Sequence, residues 1–295
     1  MSETGTLAAL LLGGGRRRQV LATGLGIGAL AAAILALAWN RETVVDSLAS
    51  LRSASPWTLL ALLGGCAAQL FLSGLVFWWL YRRFVPVPLL EMSALIAAAN
   101  AANFLPLRPG LVGRIAYLRV RRAVPLAASV RVTVEAAGLS AAVVALVVLF
   151  VPLADRAGLP GTAAFLAGGL SVLLATVSPG LRPYAIAALG RLGELGVLTW
   201  RYLLAFALIG REIDVDAAMA FACIASASSL VPLVPNGMGV REWAIGLLAP
   251  AVAGHSLQEG IAAELVGRAA ELAVTVPAGA IAAAWLARRP VAISP

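Results

Sequence analysis

The chain has 295 residues, of which 61% are hydrophobic and only 12% are charged, and its mean hydropathy is +0.93. Soluble domains carry about 25% charged residues, so the composition excludes a soluble enzyme held by one anchor. The net charge of +8 comes from arginines that flank apolar segments, without the interleaved aromatics that would indicate nucleic-acid binding. We therefore predict an all-α polytopic membrane protein that binds no nucleic acid, with 1–295 as a single transmembrane domain.

Six apolar segments approach or exceed the roughly 20 residues that a membrane-spanning helix needs. After a cytoplasmic segment at 1–18, they cover about 19–39, 57–80, 126–151, 159–178, 192–210 and 260–287. Prolines and glycines, which break helices, interrupt two further apolar stretches at about 91–118 and 215–254. We predict about six full spans and two re-entrant helical hairpins.

Arginine placement predicts the orientation of the chain. The arginine-rich stretches 16–18, 82–83, 119–122 and 288–289, with Arg182 and Arg191 in a loop before the fifth span, fall on one side. Cytoplasmic loops carry this excess, so both termini should be cytoplasmic in a cell inner membrane. The pattern is self-consistent only if the first hairpin dips from the cytoplasm and the second from the outside.

The two interrupted stretches resemble each other. "AANAANFLPLRPGLVGR" from Ala98 aligns without gaps to "IASASSLVPLVPNGMGV" from Ile224, which pairs Asn100 with Ser226 and Asn103 with Ser229. This predicts an inverted-topology repeat, with repeat 1 at about 19–151 and repeat 2 at about 159–287. Chance recurrence of proline and glycine is the alternative. The residues expected to shape the hairpin turns are Asn103, Pro106, Pro109, Gly110, Gly113, Pro232 and Pro235. The second turn also contains Asn236, Gly237 and Gly239, which are expected to belong to the substrate-binding site.

Charges inside the predicted spans are expensive and indicate a functional site by default. They are Arg131 and Glu135 in the third span, Arg201 in the fifth, and Glu264, Arg268 and Glu271 along one face of the sixth. Glu194 is expected to be solvated near the interface. The alternative is that the charges are structural ion pairs that hold the bundle together.

The second hairpin has a feature of its own, because a helix should begin near Gly239. Its first N–H groups, with Arg241 and Glu242 beside them, predict a cradle for an anionic group. The alternative is that Arg241 only pairs with an acidic neighbour.

Catalytic constellations are nearly absent from the sequence. His255 is the only histidine, no phosphate-binding glycine loop occurs, and Cys66 and Cys223 lie in apolar segments as small hydrophobes. We therefore expect that the protein is not an enzyme and that it binds no cofactor and no metal.

These hairpins, the stretch "PNGMGVRE" and Arg268 in the last span resemble the transmembrane domain of lysylphosphatidylglycerol synthase/flippase proteins. The resemblance covers about 15–290 and implies a stand-alone member without the synthase domain, which handles a phospholipid or another polar lipid. One departure concerns the first hairpin, where the family usually continues Gly-Glu and then an arginine. Here Arg114 follows Gly113 and Tyr117 replaces that arginine, so Arg114 or Arg119 would have to substitute.

We therefore predict a flippase-like lipid transporter with a polar cavity between the hairpins. Arg131, Arg241 and Arg268 are the expected phosphate contacts. Glu135, Glu264 and Glu271 would hold those arginines in the empty state, and one of them could carry a coupling proton. Two other classes stay open: a non-transporting partner of a lipid-synthesis enzyme, and an intramembrane enzyme acting on a lipid headgroup. A homodimer also stays open.

Overall fold

The computed structural model describes residues 52–105, 109–156, 158, 161–178, 180–229 and 237–289, with a few positions between 24 and 50. Several predictions lie outside the described residues. They are the segment 1–18, most of the span at 19–39, and Pro106, Pro232, Pro235 and Asn236.

From Pro56 onward the described residues form nine α-helices and no strand, which confirms the all-α prediction for this part of the chain. Their bounds are α1 Pro56–Tyr81, α2 Leu89–Ala102, α3 Pro109–Arg122, α4 Leu126–Arg156, α5 Gly161–Ala175, α6 Arg182–Leu208, α7 Val215–Ser229, α8 Val240–Val252 and α9 Leu257–Ala287.

Three of these helices contain segments long and apolar enough to cross a membrane: Pro56–Tyr81, Leu126–Phe150 and Leu257–Ala287. Large apolar side chains cover the outside of the bundle, as lipid contact requires, including Leu60, Val134 and Ile281. The membrane class predicted from composition is therefore supported by the helices as they fold.

Helix α6 begins ten residues before the predicted span at 192–210. Pro183 lies in its first turn, where the missing N–H of proline costs nothing, and Leu181 is the cap. The prediction that Arg182 and Arg191 lie in a loop is therefore wrong, because both are helical. The predicted span began after Arg191 because a charge interrupts an apolar run, but a charged residue does not by itself end a helix.

Each interrupted stretch contains two short helices separated by a break, α2 and α3 in the first and α7 and α8 in the second. In the first, Oδ1 of Asn103 accepts a hydrogen bond from the N–H of Leu111, at 3.2 Å, and so caps the start of α3. A Cβ on Gly110 would lie 1.9 Å from the carbonyl oxygen of Ala99, so only glycine allows this approach of α3 to α2.

Helix lengths recur along the chain. Helices α1, α2, α3 and α4 have 26, 14, 14 and 31 residues, and α6, α7, α8 and α9 have 27, 15, 13 and 31. Helices α1 and α6 pack along each other, and α9 packs against α2 and α8. A Cβ on Gly279 of α9 would lie 2.9 Å from the carbonyl oxygen of Ala97, so a small residue permits the contact with α2.

Candidate functional site

A polar cavity of about 220 Å³ lies among α1, α2, α4 and α6 to α9. Asn100 of the first hairpin and Ser226 of the second, which the sequence alignment pairs, both line it. Five charged residues contribute to its wall: Arg191, Glu194, Arg201, Arg241 and Glu271. Both hairpins therefore reach the same polar space inside an apolar bundle.

Arg241 is the charged residue that the second hairpin brings to the cavity. Gly237 and Gly239 have φ of 69° and 81°, a left-handed conformation that favours glycine, and α8 begins directly after Gly239. Nε of Arg241 lies 2.7 Å from Oε1 of Glu264, and its Nη1 lies 3.4 Å from Oε2 of Glu271. The acidic neighbours of Arg241 are therefore two glutamates of the last helix.

Tyr202 of α6 contacts both Arg241 and Glu264. Its O–H donates to Oε2 of Glu264, at 2.6 Å, and its oxygen lies 3.4 Å from Nε of Arg241. The Glu264 side chain is fully buried, so the hydrogen bond from Tyr202 and the ion pair with Arg241 offset the water that it loses. Glu264 does not line this cavity, but it forms an ion pair with Arg241, which does.

Arg201 of α6 contacts Glu271, the second glutamate beside Arg241. Its Nη2 lies 3.6 Å from Oε2 of Glu271 and donates to the carbonyl oxygen of Gly267 at 3.3 Å, while its Nη1 donates to the side chain of Gln69. One oxygen of Glu271 thus lies between two arginines, Arg201 and Arg241. Both arginines also face the cavity, where an anion could take that position.

Arg268 and Glu242 lie beside the cavity and not in its wall. Nε of Arg268 is 3.2 Å from Oε1 of Glu242, and the two side chains are 7% and 0% exposed. The structure therefore brings Arg241, Glu242, Glu264, Arg268 and Glu271 together as predicted. It places Arg268 behind the residues that face the cavity, so its predicted contact with a phosphate has no support from the cavity geometry.

Arg131 and Glu135 belong to a separate cluster near the start of α4. Nε of Arg131 is 2.9 Å from Oε1 of Glu135, and the same oxygen accepts from the O–H of Tyr184 at 3.1 Å. Oε2 of Glu135 accepts from Arg83. The Arg131 side chain is 61% exposed, and neither residue lines the cavity. The structure therefore separates these two residues from the other predicted site residues.

Sequence reasoning missed Arg191 as a site residue and misplaced Glu194. Nη1 of Arg191 is 2.7 Å from Oε2 of Glu194, and both side chains line the cavity. The expectation that Glu194 is solvated near the interface is wrong, because its side chain is only 14% exposed in the cavity wall. A signal was present: residues 191, 194 and 201 share one face of a helix once α6 is extended to Arg182.

The first hairpin contributes differently from the second. Arg114 is buried, donates to Oγ1 of Thr133 at 2.8 Å and stacks 4.1 Å from the ring centre of Phe77, whereas Arg119 is exposed. Gly113 has open space around it. Arg114 is thus buried in the first hairpin and is not part of the wall of this cavity.

A third charged cluster joins the start of α2 to the arginine-rich ends of α3 and α9, outside the three candidate spans. Glu91 accepts hydrogen bonds from Arg122, at 2.9 Å, Arg289, at 3.0 Å, and Tyr117, at 3.2 Å. Burial opposes ionisation of Glu91, but these partners, Arg122 above all, hold the pKa of its carboxyl below the usual value. No pattern in the sequence indicated that Glu91 joins these three helix ends.

Comparisons with models of known protein families, with curated proteins and with solved structures give no match. Among the residues that the structure describes, no group of three or more histidine, cysteine, aspartate or glutamate side chains is arranged to hold a metal ion.

Proposed function

We propose that the protein is a flippase-like transporter that moves a phospholipid or another polar-headgroup lipid across the cell inner membrane. The observation that carries the proposal is the cavity wall. There, Arg201 and Arg241, which are both buried, border the same polar space in a bundle whose outer surface is apolar. A lipid headgroup is the ligand that combines a need for polar contacts with apolar chains that stay outside.

The cost of placing charged side chains in membrane helices supports a role for Arg201 and Arg241 in binding a ligand. A charged side chain at the centre of a membrane helix costs about 2.5–3.5 kcal/mol on insertion scales. Buried ion pairs that only hold helices together are often replaceable by apolar residues without loss of stability. In our proposal Arg201 and Arg241 do more than form structural ion pairs, because both border open space that a phosphate can enter.

The repeat supports transport by alternating access. The two series of helices have nearly equal lengths, and each includes a pair of short helices separated by a break. Backbone breaks at membrane depth are tolerated where they line a cavity. We propose that α2–α3 and α7–α8 are re-entrant hairpins of an inverted repeat, which would enter from opposite faces and meet at the headgroup site.

In this mechanism the headgroup phosphate binds between Arg201 and Arg241, and the acyl chains remain in the lipid. Amide and hydroxyl groups in the wall, such as Gln69, Asn100 and Ser226, would hydrogen-bond the rest of the headgroup. The same function follows from the resemblance to lysylphosphatidylglycerol flippase domains. We propose that the protein moves the lipid unchanged and makes no chemical change to the headgroup.

The test is headgroup flipping by the purified protein in vesicles, with a fluorescent headgroup-labelled phosphatidylglycerol as the probe. Arg241→Gln removes charge-assisted hydrogen bonds worth about 1.5–3 kcal/mol, so the rate should fall roughly tenfold to a hundredfold. Arg131→Gln is the matched control, since Arg131 also pairs with a glutamate but lies away from the cavity.

A wild-type rate equal to that of protein-free vesicles would contradict transport. Equal rates for wild type and a folded Arg241→Gln variant would place the headgroup elsewhere. Native mass spectrometry of lipid that purifies with the protein identifies the natural substrate.

A further inference from the structure

A carboxylate oxygen shared by two arginines leads to an inference about what crosses with the lipid, and this inference rests on the proposed function. Oε2 of Glu271 lies 3.6 Å from Nη2 of Arg201 and 3.4 Å from Nη1 of Arg241. A phosphodiester offers oxygens with the same charge and the same hydrogen-bonding geometry as a carboxylate. Headgroup and Glu271 therefore compete for the same two guanidinium groups.

When the headgroup displaces Glu271 from the two arginines, the charge balance of the site determines whether a proton must bind as well. Among the described residues, the cavity wall and the ion pairs behind it contain four arginines and four glutamates: Arg191, Arg201, Arg241, Arg268, Glu194, Glu242, Glu264 and Glu271. The empty site is thus formally neutral. A monoanionic phosphodiester would add one negative charge in apolar surroundings, which is strongly unfavourable unless a proton compensates it.

We infer that the site takes up a monoanionic phosphodiester headgroup together with one proton, and that Glu271 is the carboxylate that receives the proton. The proton comes from water on the side where the headgroup enters. It leaves to water on the other side when Glu271 re-forms its contacts with the arginines. One proton and one anionic headgroup therefore cross in the same direction, and no net charge moves.

The geometry favours Glu271 over the other three glutamates. Glu242 and Glu264 are fully buried and do not line this cavity, and Glu194 pairs with Arg191 of its own helix. Glu271 is 19% exposed and faces the cavity directly. The polar and charged groups around it come from all four helices packed on α9 and from α9 itself: Cys66 and Gln69 of α1, Asn100 of α2, Arg191, Glu194, Arg201 and Tyr202 of α6, Arg241 and Glu242 of α8, and Glu264 and Arg268 of α9.

The experiment measures proton uptake when lipid binds. Dihexanoyl-phosphatidylglycerol is titrated into the full-length protein in detergent by calorimetry, at neutral pH and in two buffers of different ionisation enthalpy. Wild type should take up about one proton per lipid bound, by linkage of binding to protonation. Glu271→Gln should still bind the lipid but take up about none, because its side chain is already neutral.

Glu135→Gln is the control, since it neutralises a glutamate that also pairs with arginines but lies away from the cavity and outside this charge balance, and it should keep the wild-type proton uptake. Dihexanoyl-phosphatidylcholine carries its own positive charge and should bind without proton uptake. Inorganic phosphate distinguishes a headgroup from a free anion, and it should bind at least tenfold more weakly than the anionic lipid if the chains contribute.

The outcomes separate the two proposals. Lipid binding without proton uptake by wild type overturns the inference and leaves lipid transport standing, and this result does not depend on any variant. Uptake that persists in Glu271→Gln also overturns it. Wild-type protein that is folded but binds neither lipid contradicts the proposed function itself, and equal affinity for inorganic phosphate replaces the lipid by a free anion.

Discussion

Arg268 fastens the last helix to the first turn of α8, with its Nε 3.2 Å from Oε1 of Glu242. The residue next to Glu242 is Arg241, whose side chain faces the cavity. The buried pair therefore holds the start of α8 in the position that presents Arg241. We propose that Arg268 acts on the headgroup site through this contact, as a positioning residue.

The first prediction separates positioning from direct binding. Arg268→Met should strongly lower the melting temperature, because removal of one partner from a buried ion pair typically costs about 3–5 kcal/mol. Arg268→Met combined with Glu242→Gln should recover most of the loss, since no unpaired charge remains. Lipid flipping should recover with the fold.

Melting in detergent and flipping in vesicles check this prediction on the same preparations. A single Arg268→Met protein that melts like wild type but no longer binds phosphatidylglycerol would show that Arg268 contacts the headgroup directly.

The second prediction concerns a glycine that makes room for Arg201. A Cβ on Gly65 of α1 would lie 2.9 Å from Cγ of Arg201, so Gly65→Ala should push this side chain away from its place between Gln69 and Glu271. Flipping should fall without any change in the charged residues. The fold should survive, because the atom that must move belongs to a side chain.

Gly64 is a matched control for this substitution, since it is the adjacent residue of α1 and has open space around it. Gly64→Ala should leave flipping unchanged and stabilise the helix by up to about 1 kcal/mol. Equal flipping rates for the two variants would show that the position of Arg201 does not matter for transport.

The sequence located most of the long helices that the structure describes to within a few residues, because apolar runs act locally, although α6 begins ten residues before its predicted span. It also placed Glu264, Arg268 and Glu271 on one face of α9. It could not tell that Glu271 faces the cavity whereas Arg268 points to α8, because a turn of helix separates them and the neighbouring helices decide the rest. The ion pair of Arg191 was missed because its charge was taken as the end of a span.

The third prediction concerns the first hairpin. A Cβ on Gly110 would lie 1.9 Å from the carbonyl oxygen of Ala99 and 2.7 Å from Oδ1 of Asn103, which caps α3. Gly110→Ala should therefore force α2 and α3 apart, break this cap and lower the melting temperature. A backbone atom is in the way, so no side-chain movement can relieve the clash.

Gly113 lies one turn further along α3 in open space and provides the comparison. Gly113→Ala should be neutral or stabilising by up to about 1 kcal/mol. The melting temperatures of the two variants test this prediction. A Gly110→Ala protein that melts like wild type would mean that α2 and α3 are not packed as closely as described.

The last prediction concerns the proposed inverted repeat, which requires the two hairpin tips to face opposite sides of the membrane. Single cysteines at Leu111 and Met238, near the starts of α3 and α8, can be introduced after Cys66 and Cys223 are replaced by alanine. A membrane-impermeant maleimide applied to intact cells should label the cysteine at Met238 and not that at Leu111. In inside-out vesicles the pattern should reverse, because the arginine-rich ends of the helices define the cytoplasmic side. Labelling of both positions from one side only would contradict the inverted repeat, and with it the idea that the hairpins approach the headgroup site from opposite faces.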